Sequence, residues 1–273
     1  MLLYLHIPFC DSKCFYCSFC SYTDKNTLKE AYSEAILKQF EQEIKRFDIG
    51  KKSISSLYVG GGTPSTFSPL LLSSFIKKAS KYLTQNAEIT TEANPNSATL
   101  DWLFKMKELG FNRISFGVQS FDDEKLKFLG RIHNAKQAFA AVTNAQKVGF
   151  ENISADIIYN TKVDNKKLLL NDIATAASLP INHLSAYSLA IEKNTKFYKN
   201  QNAQKESLYL AKYMIKALEK NGFYQYEISN FSRGYECFHN KKYWQQDDYV
   251  GIGCGAVGFY KNRRFYPSCN LEE

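Results

Sequence analysis

Short apolar segments alternate with amphipathic helical segments through most of this chain, and a polar or sulfur-bearing residue stands at or near the end of each of the first five. Strands are predicted at 2–7, 55–59, 88–93, 113–118, 152–158 and 183–189. The residues at the ends of the first five are Cys10, Gly60 to Thr63, Glu92, Gln119 and Asp156. Helices are predicted at 28–47, 69–82, 99–109, 123–129, 135–148, 166–178 and 205–221. The first carries Tyr32, Ile36, Phe40, Ile44 and Phe47 on one stripe. Gly110, Gly149 and Gly222 stand where three of them stop. Such alternation implies a parallel α/β architecture. No G-x-G-x-x-G run follows the first strand, which argues against a dinucleotide-binding sheet. Polar residues recurring at successive strand ends are how a (β/α) barrel assembles a site. The expected fold is therefore α/β, a partial (β/α)6 TIM-like barrel over residues 1–230. After about residue 230 glycine and tyrosine dominate, no helix is predicted, and a short strand is expected at 226–228.

Four of the seven cysteines lie within eleven residues, and Cys10, Cys14 and Cys17 form a C-x3-C-x2-C triad just past the first strand. Met1 leads straight into that strand, so no signal peptide is expected. No apolar run approaches the length of a membrane span. A cytoplasmic chain with clustered cysteines reads as metal-binding or catalytic rather than disulfide-bonded. Three thiolates on one loop can hold three corners of a four-iron cubane and leave the fourth iron open to chemistry. Zinc is the alternative, with Cys20 as a fourth ligand. The two-residue-spaced pairs Cys14–Cys17 and Cys17–Cys20 share Cys17, however, and structural zinc sites usually use two separate pairs. Cys20, Cys254 and Cys269 are read as ordinary cysteines. The net charge of +8 is spread along the chain without a dense Lys/Arg block, so nucleic acid is not expected as a partner. Aromatic residues make up 15% of the chain, enough for a large core and a flat apolar ligand.

The runs YLHIPFC, CxxxCxYC, GGGTPS, TEANP, RISFGVQSF, LGRIHN, YEISNF and HNKKYW occur in this order. On them the chain resembles the radical S-adenosylmethionine (SAM) superfamily from Tyr4 to about Tyr260. Within it the chain is similar to the oxygen-independent coproporphyrinogen III oxidase group, which holds HemN and the HemW-type haem chaperones. The resemblance implies that Cys10, Cys14 and Cys17 ligate a [4Fe-4S] cluster. Its open iron would bind SAM, and an electron passed into the sulfonium would release a 5′-deoxyadenosyl radical. Tyr4 and Tyr16 would contact SAM, the latter at the adenine end. Gly61, Gly62 and Thr63 would receive the methionyl group. Glu92, Gln119, Arg131 and Asp156 would complete the SAM site. A reducing electron donor is implied as a partner.

The resemblance favours a HemW-type protein of haem trafficking and insertion over a coproporphyrinogen III dehydrogenase, which would oxidatively decarboxylate propionates to vinyls. Residue 19, where HemN carries a fourth cysteine, is Phe19, and only nine residues precede the triad. His239-Asn240-Lys241-Lys242-Tyr243-Trp244 matches the H-N-x-x-Y-W run of the HemW type. His239 is the expected haem ligand, because imidazole ligates iron and flat rings cover a macrocycle; Cys237 is a second candidate. The expected partners are haem or a porphyrinogen and a haem-acceptor protein, with membrane contact only through that acceptor. Two departures stand out. Tyr159-Asn160-Thr161 replaces a Tyr-Gly-Leu-Pro run after Asp156, and residues 231–273 read as the start of a C-terminal domain that is absent or shortened.

Overall fold

The six apolar segments pair side by side. In the computed structural model, which describes residues 1–271, β1 (Leu2–Ile7), β2 (Ile54–Gly61), β3 (Leu83–Ala93), β4 (Arg113–Gln119), β5 (Asn152–Tyr159) and β6 (His183–Ser188) form consecutive parallel pairs. The connections carry α1 (Lys29–Arg46), α2 (Pro69–Ala79), α3 (Leu100–Glu108), α4 (Asp123–Leu129), α5 (Ala135–Lys147) and α6 (Lys166–Ser178), and α7 (Leu208–Lys220) follows β6. Among the described residues β1 and β6 do not pair with each other, so the barrel stays open, as expected of a partial (β/α)6 barrel. The rest of the chain is β7 (Tyr224–Gln225), β8 (Asn230–Ser232), α8 (Phe238–Trp244), β9 (Tyr249–Ile252), β10 (Gly258–Tyr260) and β11 (Arg263–Phe265). β8 lies antiparallel on β6 and β9 lies parallel on β1, so each open edge gains a covering strand.

Helix positions follow from capping and burial. Ser68, Thr99, Asp122, Asn134, Asn165 and Ser207 each accept a first-turn amide with a side-chain oxygen. These caps fix where each strand-to-helix loop ends, on the rim of the barrel that carries the polar residues. On α1 the stripe Tyr32, Ile36, Phe40 and Ile44 is buried, and the Phe40 ring meets Phe75 of α2 at 5.2 Å. Among the described residues no helix is long and apolar enough to cross a membrane.

Three sequence expectations differ from the structure. Residues 226–229 form the bend between β7 and β8, not a strand, since their main chain turns to let Tyr226 N donate to Asn230 O. The helix expected from residue 205 starts at Leu208, because the Ser207 hydroxyl caps it. The segment after residue 230 does contain a helix, α8. Its first amides are held by a distant carboxylate, Glu88 of β3, which accepts from Phe238 N at 2.8 Å and His239 N at 2.9 Å. Local periodicity carries no trace of that cap.

One buried ion cluster braces the loops after β4 and β5. Lys125 of α4 is fully buried; its Nζ lies 2.7 Å from Asp164 and 3.2 Å from Asp172, both also buried. Asp172 further accepts from Ser120 Oγ and Phe121 N, and Asp164 from Thr161. Asn160, in the loop that departs from the family run, has a left-handed backbone (φ 61°), which Asn tolerates better than most residues. Its amide donates to Ser188 Oγ at 3.0 Å. Replacing Lys125 by alanine strands two buried carboxylates, and a stability loss of about 3–5 kcal/mol is expected in urea unfolding. A loss below about 1 kcal/mol would show that the hydroxyl and amide donors hold the carboxylates unaided.

Candidate functional site

The loop after β1 carries the cysteine triad to the polar rim. Cys17 N donates to Cys14 O at 3.2 Å, and Cys10 N to Tyr22 O at 3.0 Å, which closes the loop on itself. Cys10, Cys14 and Cys17 all line one cavity of about 390 Å³. That volume lies within the roughly 300–1,000 Å³ of small-molecule sites. Tyr16, Gly61, Gly62, Thr63, Glu92, Gln119, Arg131 and Asp156 line the same cavity. Of the cluster and SAM positions expected from the sequence, only Tyr4 lies elsewhere.

Each wall residue is held by a contact that explains its place. Asn94 Nδ2 donates to Thr63 Oγ1 at 3.1 Å, leaving the Thr63 hydroxyl to donate to Cys10 Sγ at 3.2 Å. The Arg131 guanidinium donates to Cys14 Sγ at 3.2 Å, and to Asn94 Oδ1 and Gly117 O at 2.7 Å each. Gln119 follows a register shift in the β4–β5 ladder and has a positive φ of 69°. Such a bulge re-aims the side chain at a sheet rim. A Cβ on Gly62 would come within 3.0 Å of Cys10 Sγ, so only glycine lets the β2 turn lie this close to the cysteine loop. Sequence reasoning missed Asn94, which joins Thr63 to Arg131; the run TEANP carried the signal.

The rim is charged but short of partners. Burial, with Asp156 opposite, pushes the Glu92 carboxyl up from 4.5 to about 7, although Tyr58 OH and Gly61 N donate to it. Burial also raises Asp156, which accepts from Ser115 Oγ at 3.2 Å. Burial likewise raises the Cys10 and Cys17 thiols, so without a metal they favour the protonated form. Arg131 Nε is buried without a partner. This donor set of three convergent sulfurs, a guanidinium, a glycine turn and two under-paired carboxylates fits a thiolate-held iron–sulfur cluster with a polar ligand beside it.

A second cavity of about 380 Å³ lies beyond Glu92, which lines both. Tyr4 is here. His6 Nε2–H donates to Cys20 O at 2.8 Å, so His6 Nδ1 accepts from Tyr4 OH at 3.1 Å. His239 is here too, buried, with Nδ1 at 2.6 Å from Ser56 Oγ and its ring 4.5 Å from Tyr243 and 5.1 Å from Tyr58. Burial and the Arg113 charge lower its pKa to about 3, so the imidazole is neutral. Its Nε2 is buried with no hydrogen-bond partner. Cys237 faces the other way, its thiol 3.5 Å from Glu88 Oε1 and raised to about 12 by burial. The expectation of ordinary, unbridged cysteines needs correcting. Cys20 and Cys269 form a disulfide and Cys254 sits against it, because β9 pairs with β1 and brings the chain's last turns onto the cysteine loop.

The fold has a close structural counterpart in the crystal structure of the Escherichia coli coproporphyrinogen III oxidase HemN, described there as a radical SAM enzyme. The TM-score is 0.83 at 22% identity, over 99% of this chain and 67% of that one, a likeness of fold. The Radical SAM superfamily model matches residues 4–173. The chain belongs to that superfamily, whose cofactors are a [4Fe-4S] cluster and SAM. "Heme chaperone HemW" of Bacillus subtilis (strain 168) is 34% identical over 272 residues, spanning 96% of this chain and 71% of that protein. The protein of the same name from Buchnera aphidicola subsp. Schizaphis graminum is 39% identical over 268 residues, with 94% and 69% covered. Within the superfamily, the chain is a member of the HemW family.

The raised Glu92 carboxyl gives a signed expectation. The folded chain holds a proton that the unfolded chain releases above 4.5, so its stability falls as pH rises from about 4.5 to about 7. Glu92→Gln removes that term. Without ligand the variant should be more stable above pH 7, by at most about 3 kcal/mol, and the gap should close toward pH 5 in urea unfolding. A gap independent of pH would mean that Glu92 titrates as an ordinary carboxylate.

Proposed function

We propose that this chain is a HemW-type haem chaperone in which two adjoining cavities divide the work. Residues 1–230 form the radical SAM barrel, and the segment after it, through His239, Tyr243 and Tyr249, completes the wall of the haem site. In this reading Cys10, Cys14 and Cys17 hold the [4Fe-4S] cluster, with Arg131 as the positive neighbour of the Cys14 sulfur. Gly61, Gly62 and Thr63 make room for the methionyl end of SAM. Glu92 and Asp156 are raised carboxyls that can take up donors from its amine or ribose, Gln119 supplies an amide at the bulge, and Tyr16 packs the adenine end. Tyr4 lies across Glu92 from that cavity and orients His6. When bound, the cluster and SAM supply reductive cleavage of a sulfonium C–S bond. The protein residues bind, orient and keep water away.

The observation that carries the haem reading is His239. It offers a neutral, buried imidazole whose Nε2 has no partner, on the wall of a cavity that Tyr4, Tyr58, Tyr243 and Tyr249 also line. With Nδ1–H donated to Ser56, Nε2 presents its lone pair, the state that ligates iron. The family name supports the same reading, since the HemW relatives are named as haem chaperones. We assign delivery of haem to an acceptor protein, in a cytoplasmic setting whose reducing conditions suit the thiol set. The coproporphyrinogen alternative rests on likeness of fold alone.

Two variants test the division. Cys14→Ala should abolish cluster assembly, read as iron and acid-labile sulfide per chain after anaerobic reconstitution; unchanged contents would sink the cluster assignment. His239→Ala should weaken haem binding by about tenfold or more in an absorbance titration while leaving iron and sulfide intact. An unaltered titration would remove His239 from the haem site.

A further inference from the structure

At the edge of the second cavity, whose wall includes Cys20, three cysteines far apart in sequence converge. The sulfurs of Cys20, Cys254 and Cys269 all lie within 4.8 Å of one another. Cys20 follows the triad on the loop after β1, Cys254 sits in the turn after β9, and Cys269 lies beyond β11. Cys20 and Cys269 are bridged with their Cα atoms 5.9 Å apart, and Cys254 Sγ lies 3.5 Å from Cys20 Sγ.

Each of the three segments is fixed independently of the sulfurs. Cys20 O accepts from His6 Nε2 at 2.8 Å, and Tyr22 N donates to Pro8 O at 2.7 Å. Cys254 N donates to the Tyr32 hydroxyl at 3.1 Å, and that hydroxyl donates to His6 O at 2.8 Å. Gly255 N donates to Ser268 O at 2.8 Å, and the Tyr22 hydroxyl donates to Cys269 O. Gly255 has φ 71°, and a Cβ there would meet Cys20 Cβ at 2.9 Å and its sulfur at 3.1 Å. Only glycine at this point lets the three sulfurs close up.

A disulfide uses two sulfurs and leaves the third unexplained. Three sulfurs around one point are a zinc-type donor set. Tetrahedral Zn–S bonds of about 2.3 Å put neighbouring sulfurs roughly 3.8 Å apart, near the Cys20–Cys254 spacing. We propose that Cys20, Cys254 and Cys269, when reduced, bind a soft divalent metal of the zinc class through three thiolates. The Cys20–Cys269 disulfide is the oxidised, metal-free form of the same site. A dithiol reductant gives two electrons and two protons to the bridge, freeing two thiols and becoming a disulfide itself. The metal then displaces three protons from the three thiols, and water takes the fourth position. The site clamps the cysteine loop to the β9 turn and to the segment after β11. Phe19, next to Cys20, lines both cavities, so the clamp bears on their shared wall.

The test uses the whole chain with its iron–sulfur cluster reconstituted, so that the triad is occupied. It is reduced with a dithiol, desalted anaerobically and given zinc, and zinc, iron and sulfide are counted per chain. One zinc is expected beyond the iron. Cys254→Ser should bind it at least about tenfold more weakly with iron and sulfide unchanged, because it removes a donor and leaves both bridging cysteines in place. Cys269→Ser, altered at an exposed position, should lose it equally and serves if the first variant folds poorly. Cobalt in place of zinc should give a thiolate charge-transfer band in the parent chain and in neither variant. Equal zinc uptake by parent and Cys254→Ser would overturn the proposal. So would a Cys20–Cys269 bridge that survives reduction while Cys254 alkylates as a single thiol. Loss of iron in the parent would count against the triad assignment, not against this one.

Discussion

Arg113 is the buried cation against which the acidic interior of the barrel is balanced. It sits fully buried at the start of β4, and its charge acts on Glu88, Glu92, Asp156, Tyr58, Cys237 and His239. Removing carboxylates from water is costly unless donors replace the water. Glu88 meets that demand within the protein, accepting from Tyr235 OH, Cys237 Sγ, Phe238 N and His239 N. It acts as structure, holding α8 against the sheet. Glu92 has two donors and Asp156 the hydroxyls of Ser115 and Ser185, and both remain raised despite Arg113. Carboxylates left short of donors in a cavity are where a ligand's donors bring the largest gain.

The same charge links the two cavities. Tyr58 donates to Glu92 Oε1 at 2.8 Å, and its ring lies 5.1 Å from His239. Glu92 lines both cavities, so a change in its proton or its partners on the SAM side reaches Tyr58 directly and His239 through one ring contact. Glu88 and Arg113 reach His239 from the opposite side, one through its main-chain amide and the other through its charge. The imidazole is thus kept neutral and fixed in place by groups that belong to the barrel, although it stands on a helix outside the six-strand repeat.

The barrel was legible because its determinants are local. The four-residue stripe on α1, the apolar strands and the stopping glycines are patterns of neighbours in sequence, and the polar strand ends fall on one rim once the strands are parallel. What escaped depends on partners far along the chain. The α8 start is capped by Glu88, 150 residues before Phe238. Cys20 meets Cys269 across 249 residues. Tyr4, whose SAM contact was implied by the resemblance, lies with His6 on the wall of the second cavity, beside Glu92, which lines both. Arg113 opens β4, and nothing local tells a buried counter-charge from an exposed one.

An open barrel leaves two strand edges, and the way they are covered explains why two cavities exist at all. β8 covers β6 antiparallel and returns the chain toward Glu88 through Tyr235. β9 covers β1 in parallel and carries Tyr249, whose ring lies 4.5 Å from that of Tyr243, tilted by 41°. Between these two covering strands runs α8, which delivers His239 to Ser56 on the inward side of β2. Edge protection and the aromatic wall therefore come from one continuous stretch of chain. A substitution that loosens β9 from β1 would uncover an edge, open the Tyr243–Tyr249 wall and move the Cys254 turn away from the cysteine loop together. That shared dependence ties the haem wall, the cysteine loop and the sheet edge to the same few backbone hydrogen bonds.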